Sequence, residues 1–176
     1  TDTITAGPWV EGDFVIPAEG ELVKARVIDI VSQTITREQG HTLTVKNGGL
    51  EPDRSRDIAA ISVTYRLDKG RQGKGFIRGT GIRDGALATT LIWDTGNILS
   101  IGSSYADMTV ASNRLLELKG GTVIVKNGVV IYEFPMPVFG VMAALPFNEI
   151  RRKIESLDGA MREIGTVLER PFLTVQ

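Results

Sequence analysis

GFIRGTGIRDGALATTLIWDTGNILSIG, residues 75–102, is the stretch of sequence that decides the fold of this chain. Its first half carries several glycines, where the backbone can adopt positive φ or pass close to another surface. Two apolar runs follow, at residues 86–92 and 98–101, and a cluster of Asp, Thr, Gly and Asn separates them. This pattern predicts a buried β-hairpin.

The turn of the predicted hairpin brings together four candidate site residues: Trp93, Asp94, Thr95 and Asn97. Asp and Asn in turns commonly bond their own backbone, and a neighbouring Trp commonly caps a core. The same side chains also lie at a strand edge, where a substrate pocket or a domain interface could use them. The sequence leaves both interpretations open.

Length and composition bound the class of protein. A chain of 176 residues with 42% apolar residues is predicted to fold as one domain, residues 1–176. The net charge of −1 argues against general nucleic-acid binding, and the absence of cysteine excludes disulfides and thiolate metal sites. The apolar runs are too short to cross a membrane and no signal peptide opens the chain, so we expect a cytoplasmic protein without membrane or nucleic-acid partners.

The residues before the central stretch predict an arm followed by strands. Residues 1–20 are rich in turn formers and predict a docked arm or loop. β-branched residues predict a strand at residues 21–31. Residues 59–67 alternate strictly, with apolar residues such as Val63 on one face and polar residues such as Ser62 on the other, which predicts another strand.

The residues after the central stretch predict a helix, a hairpin and a second helix. Ser104 and Asp107 resemble a capping box, and the apolar residues behind them recur at helical spacing: Met108, Ala111, Leu115 and Leu118. An Asn-Gly pair at residues 127–128 joins two β-branched runs and predicts a hairpin. The second helix, at about residues 146–165, carries a stripe predicted to be core: Ile150, Ile154, Leu157, Met161 and Ile164.

Together these elements predict an α+β fold. Two amphipathic helices are expected to pack on a mixed, largely antiparallel sheet. The apolar residues at 171–175 predict one further strand at the end of the chain.

Residue types that carry catalysis are sparse in this chain. His41 is the single histidine, so paired-histidine metal sites are excluded, and we expect His41 on the surface. No serine lies in a G-x-S-x-G motif, and the basic residues between 66 and 83 are typical of solvated surface. Asp94, Asp107 and Glu133 could converge, although their spacing does not require it. We therefore predict no catalytic residue and no metal site within the chain.

Residues 75–142 resemble, almost without gaps, the C-terminal domain of prokaryotic adenine deaminases. Residues 23–36 and 171–174 fit the same domain, so the resemblance covers about residues 10–176. Short motifs carry it: Gly79, Gly81 and Gly85-Ala86 before the first strand, Asp94 and Asn97 in the turn, Asp107-Met108 and Asn113-Arg114-Leu115 in the helix, Gly120-Gly121 after it, and Pro135-Met136-Pro137.

The resemblance implies a role inside a larger enzyme of purine metabolism and adenine catabolism, a hydrolase that acts on a C–N bond of a cyclic amidine. In such amidohydrolases a divalent metal, manganese or iron, in a (β/α)8 barrel activates water to attack C6 of adenine and release ammonia. The barrel and its metal ligands lie upstream of the resembling domain. This chain alone is therefore expected to be inactive and to pack on that barrel, and we also expect a homo-oligomer.

Two departures from the family pattern keep alternatives open. Where the family has His-Asp-Ser-His-Asn in the turn, this chain has Trp93-Asp94-Thr95-Gly96-Asn97, and where the family has Met-Ser-Asp it has Met142-Ala143-Ala144. One alternative is a non-catalytic interaction or oligomerisation module, and another is a domain of a divergent amidohydrolase with a different substrate. A third, a small hydrolase built on Asp94 and Glu133, lacks a nucleophile and a metal set.

Overall fold

A computed structural model of the protein describes residues 3–32, 35–92 and 95–171. Trp93 and Asp94 lie outside the described residues, as does nearly all of the strand predicted at 171–175. The described residues form one mixed sheet of nine strands and two α-helices, which confirms the predicted α+β class. None of the helices in these ranges is long and apolar enough to cross a membrane.

The strand order of the sheet is β3-β2-β1-β5-β4-β7-β6-β8-β9, and the neighbouring strands are antiparallel except for the parallel pair of β1 and β5. The strands are β1 Leu22–Ser32, β2 Ile35–Lys46, β3 Gly49–Leu50, β4 Ile58–Thr64, β5 Gln72–Arg78, β6 Ala86–Thr89, β7 Ile98–Gly102, β8 Gly121–Lys126 and β9 Val129–Pro135. The helices are α1 Tyr105–Glu117 and α2 Phe147–Glu163.

Both predicted hairpins are present. Strands β6 and β7 pair antiparallel with Leu87 opposite Ile101. Strands β8 and β9 are joined by Asn127 and Gly128, whose φ values of 51° and 77° are those that a tight type I′ turn requires. For this turn, the local Asn-Gly sequence is sufficient.

The two helices cover opposite faces of the sheet, because successive residues of a strand point to opposite sides. Ala86 and Ala88 of β6 belong to the core beneath α1, together with Met108 and Leu115 of that helix. Leu87, between them, belongs to the core beneath α2, which is completed by Leu157, Met161 and Ile164. The short central strands are therefore buried on both sides.

Helix α1 begins as the capping signal predicts, although the box does not close as expected. The Ser104 hydroxyl oxygen accepts a hydrogen bond from the Asp107 backbone N–H at 3.2 Å. The Asp107 carboxylate instead accepts a hydrogen bond from the backbone N–H of Gly128, at 2.7 Å. This contact ties the start of α1 to the β8–β9 turn.

Residues 3–20 run over the α1 side of the sheet with one short 3-10 turn, Glu11–Asp13. Trp9 and Phe14 are buried in the core beneath α1. Asn113 of α1 accepts a hydrogen bond from the Trp9 backbone N–H at 2.8 Å and donates one to its carbonyl at 2.9 Å. The start of the described chain is thus held by side chains of α1.

Two buried faces differ from the faces that the sequence pattern indicates. On β4 the polar residues Ser62 and Thr64 are buried beneath the arm and α1, whereas Val63 on the other face is 40% exposed. The predicted core stripe of α2 is wrong at Ile154, whose side chain is 56% exposed. In both cases, periodicity shows which residues share a face. It does not show whether another element covers that face.

Candidate functional site

An apolar groove of about 1090 Å³ lies at the end of the sheet where β6 and β9 finish. Three parts of the chain form most of it: the loop after β6, the end of β9 with the loop that follows it, and residues 150–158 of α2. The apolar residues that line it include Leu91, Ile92, Phe134, Met136, Phe139, Val141, Met142, Ile150, Ile154 and Leu157. Among the described residues, the side chains of Arg66, Thr95, Asp158 and Arg170 contribute polar atoms to the lining.

The four predicted site residues have different positions relative to this groove. Thr95 is exposed and lines it together with Gly96. Asn97 faces β4, where its side-chain oxygen accepts a hydrogen bond from the Arg66 backbone N–H at 3.4 Å. Asn97 also donates its backbone N–H to the Thr95 hydroxyl oxygen at 3.3 Å. Asn97 therefore has the local, turn-fixing role, whereas Thr95 faces the groove; Trp93 and Asp94 are outside the described residues.

The Thr90 hydroxyl and three glycines fix the backbone segments beside the groove. The Thr90 hydroxyl donates a short hydrogen bond to the Gly140 carbonyl and accepts one from the Gly121 backbone N–H at 2.8 Å. A β-carbon on Gly120 would overlap the Cα atom of Gly140 and would lie 3.0 Å from the Thr90 hydroxyl oxygen. The segment between α1 and β8 approaches the loop after β9 so closely that position 120 requires glycine.

Arg66 connects three separate segments at the rim of the groove, a role that sequence reasoning missed. Its Nε donates to the Thr3 carbonyl at 2.7 Å, and its Nη2 donates to the Thr3 hydroxyl at 2.9 Å and to the Phe139 carbonyl at 2.6 Å. Burial lowers the pKa of the Arg66 guanidinium. No local pattern distinguishes Arg66 from the other basic residues of its loop, because its partners lie 63 and 73 residues away.

We expect the substitution Arg66→Lys to destabilise this end of the domain by about 1 to 3 kcal/mol, the range for losing hydrogen bonds to a charged group. A lysine keeps the charge but cannot reproduce the planar fork of three bonds. The urea midpoint should fall, and hydrogen exchange should accelerate at residues 3–6 and 138–142. Arg26→Lys, at a side chain that is 84% exposed, is the matched control. Equal midpoints for the two variants would show that Arg66 is not an anchor.

A second cavity, of about 610 Å³, is polar and lies at the other end of β4. His41 lies here in β2, and its side chain is 18% exposed, so it is half-buried beside the cavity rather than fully on the surface. Its Nε2 is 3.1 Å from Asp29 Oδ1, and Arg78 Nη1 is 3.4 Å from the other oxygen of that carboxylate. Burial raises the pKa of Asp57, which accepts a hydrogen bond from the Gly81 backbone N–H at 2.9 Å. Within this cavity, Asp29 therefore has both His41 and Arg78 as partners, and Asp57 is held by a backbone N–H.

The described residues contain no group of three or more His, Cys, Asp and Glu side chains that could hold a metal ion. Asp107 bonds the Gly128 backbone, and Glu133 accepts a hydrogen bond from Arg114 Nε at 2.8 Å. That hydrogen bond lowers the pKa of Glu133, which keeps the carboxylate ionised and unsuited to donating a proton. Both carboxylates have separate structural partners, so the structure gives no support to a small hydrolase built on Glu133.

Comparison with known proteins gives one consistent result. The chain is 40% identical over 152 residues to an adenine deaminase of Brucella anthropi, a match that covers 85% of the chain and 27% of the relative. An adenine deaminase of Clostridium botulinum is 39% identical over 157 residues (88% and 26%), and one of Methylobacterium nodulans is 36% identical over 175 residues (98% and 31%).

The chain therefore spans between about a quarter and a third of the length of these relatives. The family model for the adenine deaminase C-terminal domain matches residues 33–176, and this match confirms the resemblance seen in the sequence. The chain belongs to the adenine deaminase C-terminal domain family.

Proposed function

We propose that this chain is the C-terminal accessory domain of an adenine deaminase, a hydrolase that converts adenine and water into hypoxanthine and ammonia. The observation that carries the proposal is the family match over residues 33–176, together with relatives that bear this name and extend well beyond the matched part. In this proposal the chemistry belongs to the upstream barrel, on which the present domain packs. A cytoplasmic location and a homo-oligomeric state are parts of the same proposal.

The proposal assigns the metal to the upstream barrel. The described residues of this chain do not fit a divalent metal, because they offer no cluster of ligands. The manganese or iron ion expected of such a hydrolase would therefore be held entirely by upstream residues. The described part of this chain would contribute shape and contacts rather than ligands.

We further propose that the turn at residues 93–97 approaches the substrate or the interface with the barrel. Thr95 is exposed beside the groove, and Asn97 fixes the turn to the end of β4. Trp93 and Asp94 are the side chains that this proposal assigns to the contact, and an indole ring is well suited to stacking on a purine.

The test of the enzymatic proposal is ammonia release from adenine. The 176-residue chain and the full-length protein that contains it are compared, both supplied with Mn²⁺ or Fe²⁺. We expect activity only in the full-length protein. A full-length protein that is folded and metal-loaded but inactive on adenine would refute the proposal and favour a divergent amidohydrolase or a non-catalytic module.

The role of the turn is tested by Trp93→Ala in the full-length protein. We expect kcat/KM for adenine to fall about 5- to 150-fold, because one base–aromatic stacking contact contributes about 1 to 3 kcal/mol. Val129→Ala, at an exposed position on the β8–β9 hairpin, is the control and should leave the ratio unchanged. A kcat/KM for Trp93→Ala equal to that of the control would remove the turn from the active site.

A further inference from the structure

The rim of the apolar groove carries exposed apolar side chains, one of which, Ile154, belongs to a stripe that the sequence pattern predicts to be core. Ile154, Met142 and Phe139 are 56%, 51% and 60% exposed, respectively, and all three line the groove. Single exposed apolar residues are ordinary, but a group around one groove marks a binding surface.

The exposure follows from the way α2 packs on the sheet. Toward its C-terminal end Leu157 and Met161 are buried against the sheet, and Ile164 just beyond the helix is buried as well. Toward its N-terminal end Ile150 is half-buried and Ile154 is exposed. One continuous apolar stripe is thus buried at one end and uncovered at the other. A stripe of this kind is expected to be covered along its whole length.

The start of the described chain lies at the same rim. Thr3 is bonded to the guanidinium of Arg66, a residue that lines the groove, and the same guanidinium bonds the carbonyl of Phe139. Any polypeptide that precedes Thr3 therefore meets the domain beside the groove. The part that matches this chain is only 26 to 31% of the length of the relatives. Because the matching family is a C-terminal domain, the rest of each relative is expected to precede the matched part.

We propose that this groove is the surface on which the upstream part of the same polypeptide packs, burying Ile154, Met142 and Phe139 against apolar side chains of that part. The inference rests on the proposed function for the existence of the upstream part. Arg66 contributes little to specificity, since its Nε and Nη2 are already bonded within the domain. Because most of the side chains that line the groove are apolar, the interface is predominantly apolar, with Thr95, Asp158 and Arg170 as its other polar side chains among the described residues.

The test uses the full-length protein with a protease site inserted just before Thr1. After cleavage, the two parts of the wild type should co-elute in size-exclusion chromatography. Hydrogen exchange at residues 139–145 and 150–157 should be slow while the parts are together. It should accelerate after they are separated by dilution below their dissociation constant.

Ile154→Glu and Val129→Glu form a matched pair of variants. Each places a carboxylate at an exposed apolar position, but Val129 lies at the opposite end of β9 from the groove. We expect Ile154→Glu to weaken the association of the cleaved parts at least tenfold and Val129→Glu to leave it unchanged. Thermal unfolding of the full-length variants checks that both remain folded, and the wild-type exchange experiment does not depend on either variant.

Three results would overturn the inference. Equal association of both variants would place the interface elsewhere. Exchange at residues 139–145 and 150–157 that is equally slow before and after separation would mean that the upstream part does not cover the groove. A fall in oligomeric mass for Ile154→Glu without separation of the cleaved parts would mean that a second copy fills it. Ammonia release is measured independently, so a protein whose parts associate through Ile154 but which does not deaminate adenine refutes the proposed function alone.

Discussion

Replacing Gly85 with alanine is expected to lower the free energy of unfolding of this chain by at least about 3 kcal/mol, because strain at positive φ and overpacking add together. Gly85 has a φ of 147°. A β-carbon there would overlap the carbonyl oxygen of Val125 and would lie 2.9 Å from the Ile164 side chain. A neighbouring carbonyl in a paired strand cannot move aside as a flexible side chain can.

The backbone of Gly85 is also fixed on both sides, so it has little room to relax. Its N–H donates to the Ser103 hydroxyl at 3.1 Å, and its carbonyl accepts a hydrogen bond from the Ser103 N–H at 2.9 Å. These bonds fix the start of β6 beside the end of β7. Any rotation that makes room for a methyl group at Gly85 would break at least one of them.

The measurement is the urea unfolding midpoint of the Gly85→Ala variant against Gly159→Ala. Gly159 lies within α2, and a β-carbon there meets nothing within 4 Å. Its replacement should stabilise the chain by about 0.5 to 1 kcal/mol, because alanine is the better helix former. A Gly85→Ala variant within 1 kcal/mol of the wild type would contradict the close approach to Val125.

Leu115→Ala is expected to destabilise the chain by about 2 to 5 kcal/mol, the range for truncating a buried leucine. Leu115 is fully buried, and together with Met108 and Ala111 it forms the face of α1 that packs on β6 and β8. The loss has two parts: the transfer of the removed atoms and the cavity that they leave. Because α1 is also tied to the arm and to β9 by hydrogen bonds, the helix cannot collapse freely into that cavity.

Leu22→Ala is the control for this experiment because it removes the same atoms from an exposed position on β1. It should change the free energy of unfolding by no more than about 0.5 kcal/mol, as surface substitutions usually do. Unfolding of both variants is followed by tryptophan fluorescence and by circular dichroism. Coincident midpoints for Leu115→Ala and Leu22→Ala would show that α1 does not pack as described.

The candidate site could be predicted from the sequence only as far as its turn. The Asp-Thr-Gly-Asn cluster between two apolar runs specifies a reversal of the chain at residues 93–97, and Thr95 does face a groove. The groove itself needs the loop after β9 and the first half of α2, which lie about 40 to 60 residues further along the chain. The sequence of the turn does not indicate which distant segments lie beside it. Those segments contribute apolar side chains, and their sequence pattern is the same as that of other core residues.

The sequence by itself determined most of the elements and the family of this protein, but it missed β5, which lies in a segment interpreted as solvated surface. The hairpins, the Ser104 cap and the α1 stripe depend on neighbouring residues, so their signals can be read within a few positions. The tertiary structure alone decided which faces are covered. Ser62 is buried and Ile154 is exposed against the pattern of their elements, and Arg66 anchors a residue 63 positions away. The physical reason is that propensity and periodicity depend on residues close together in the sequence. Burial depends instead on which distant elements pack against each face.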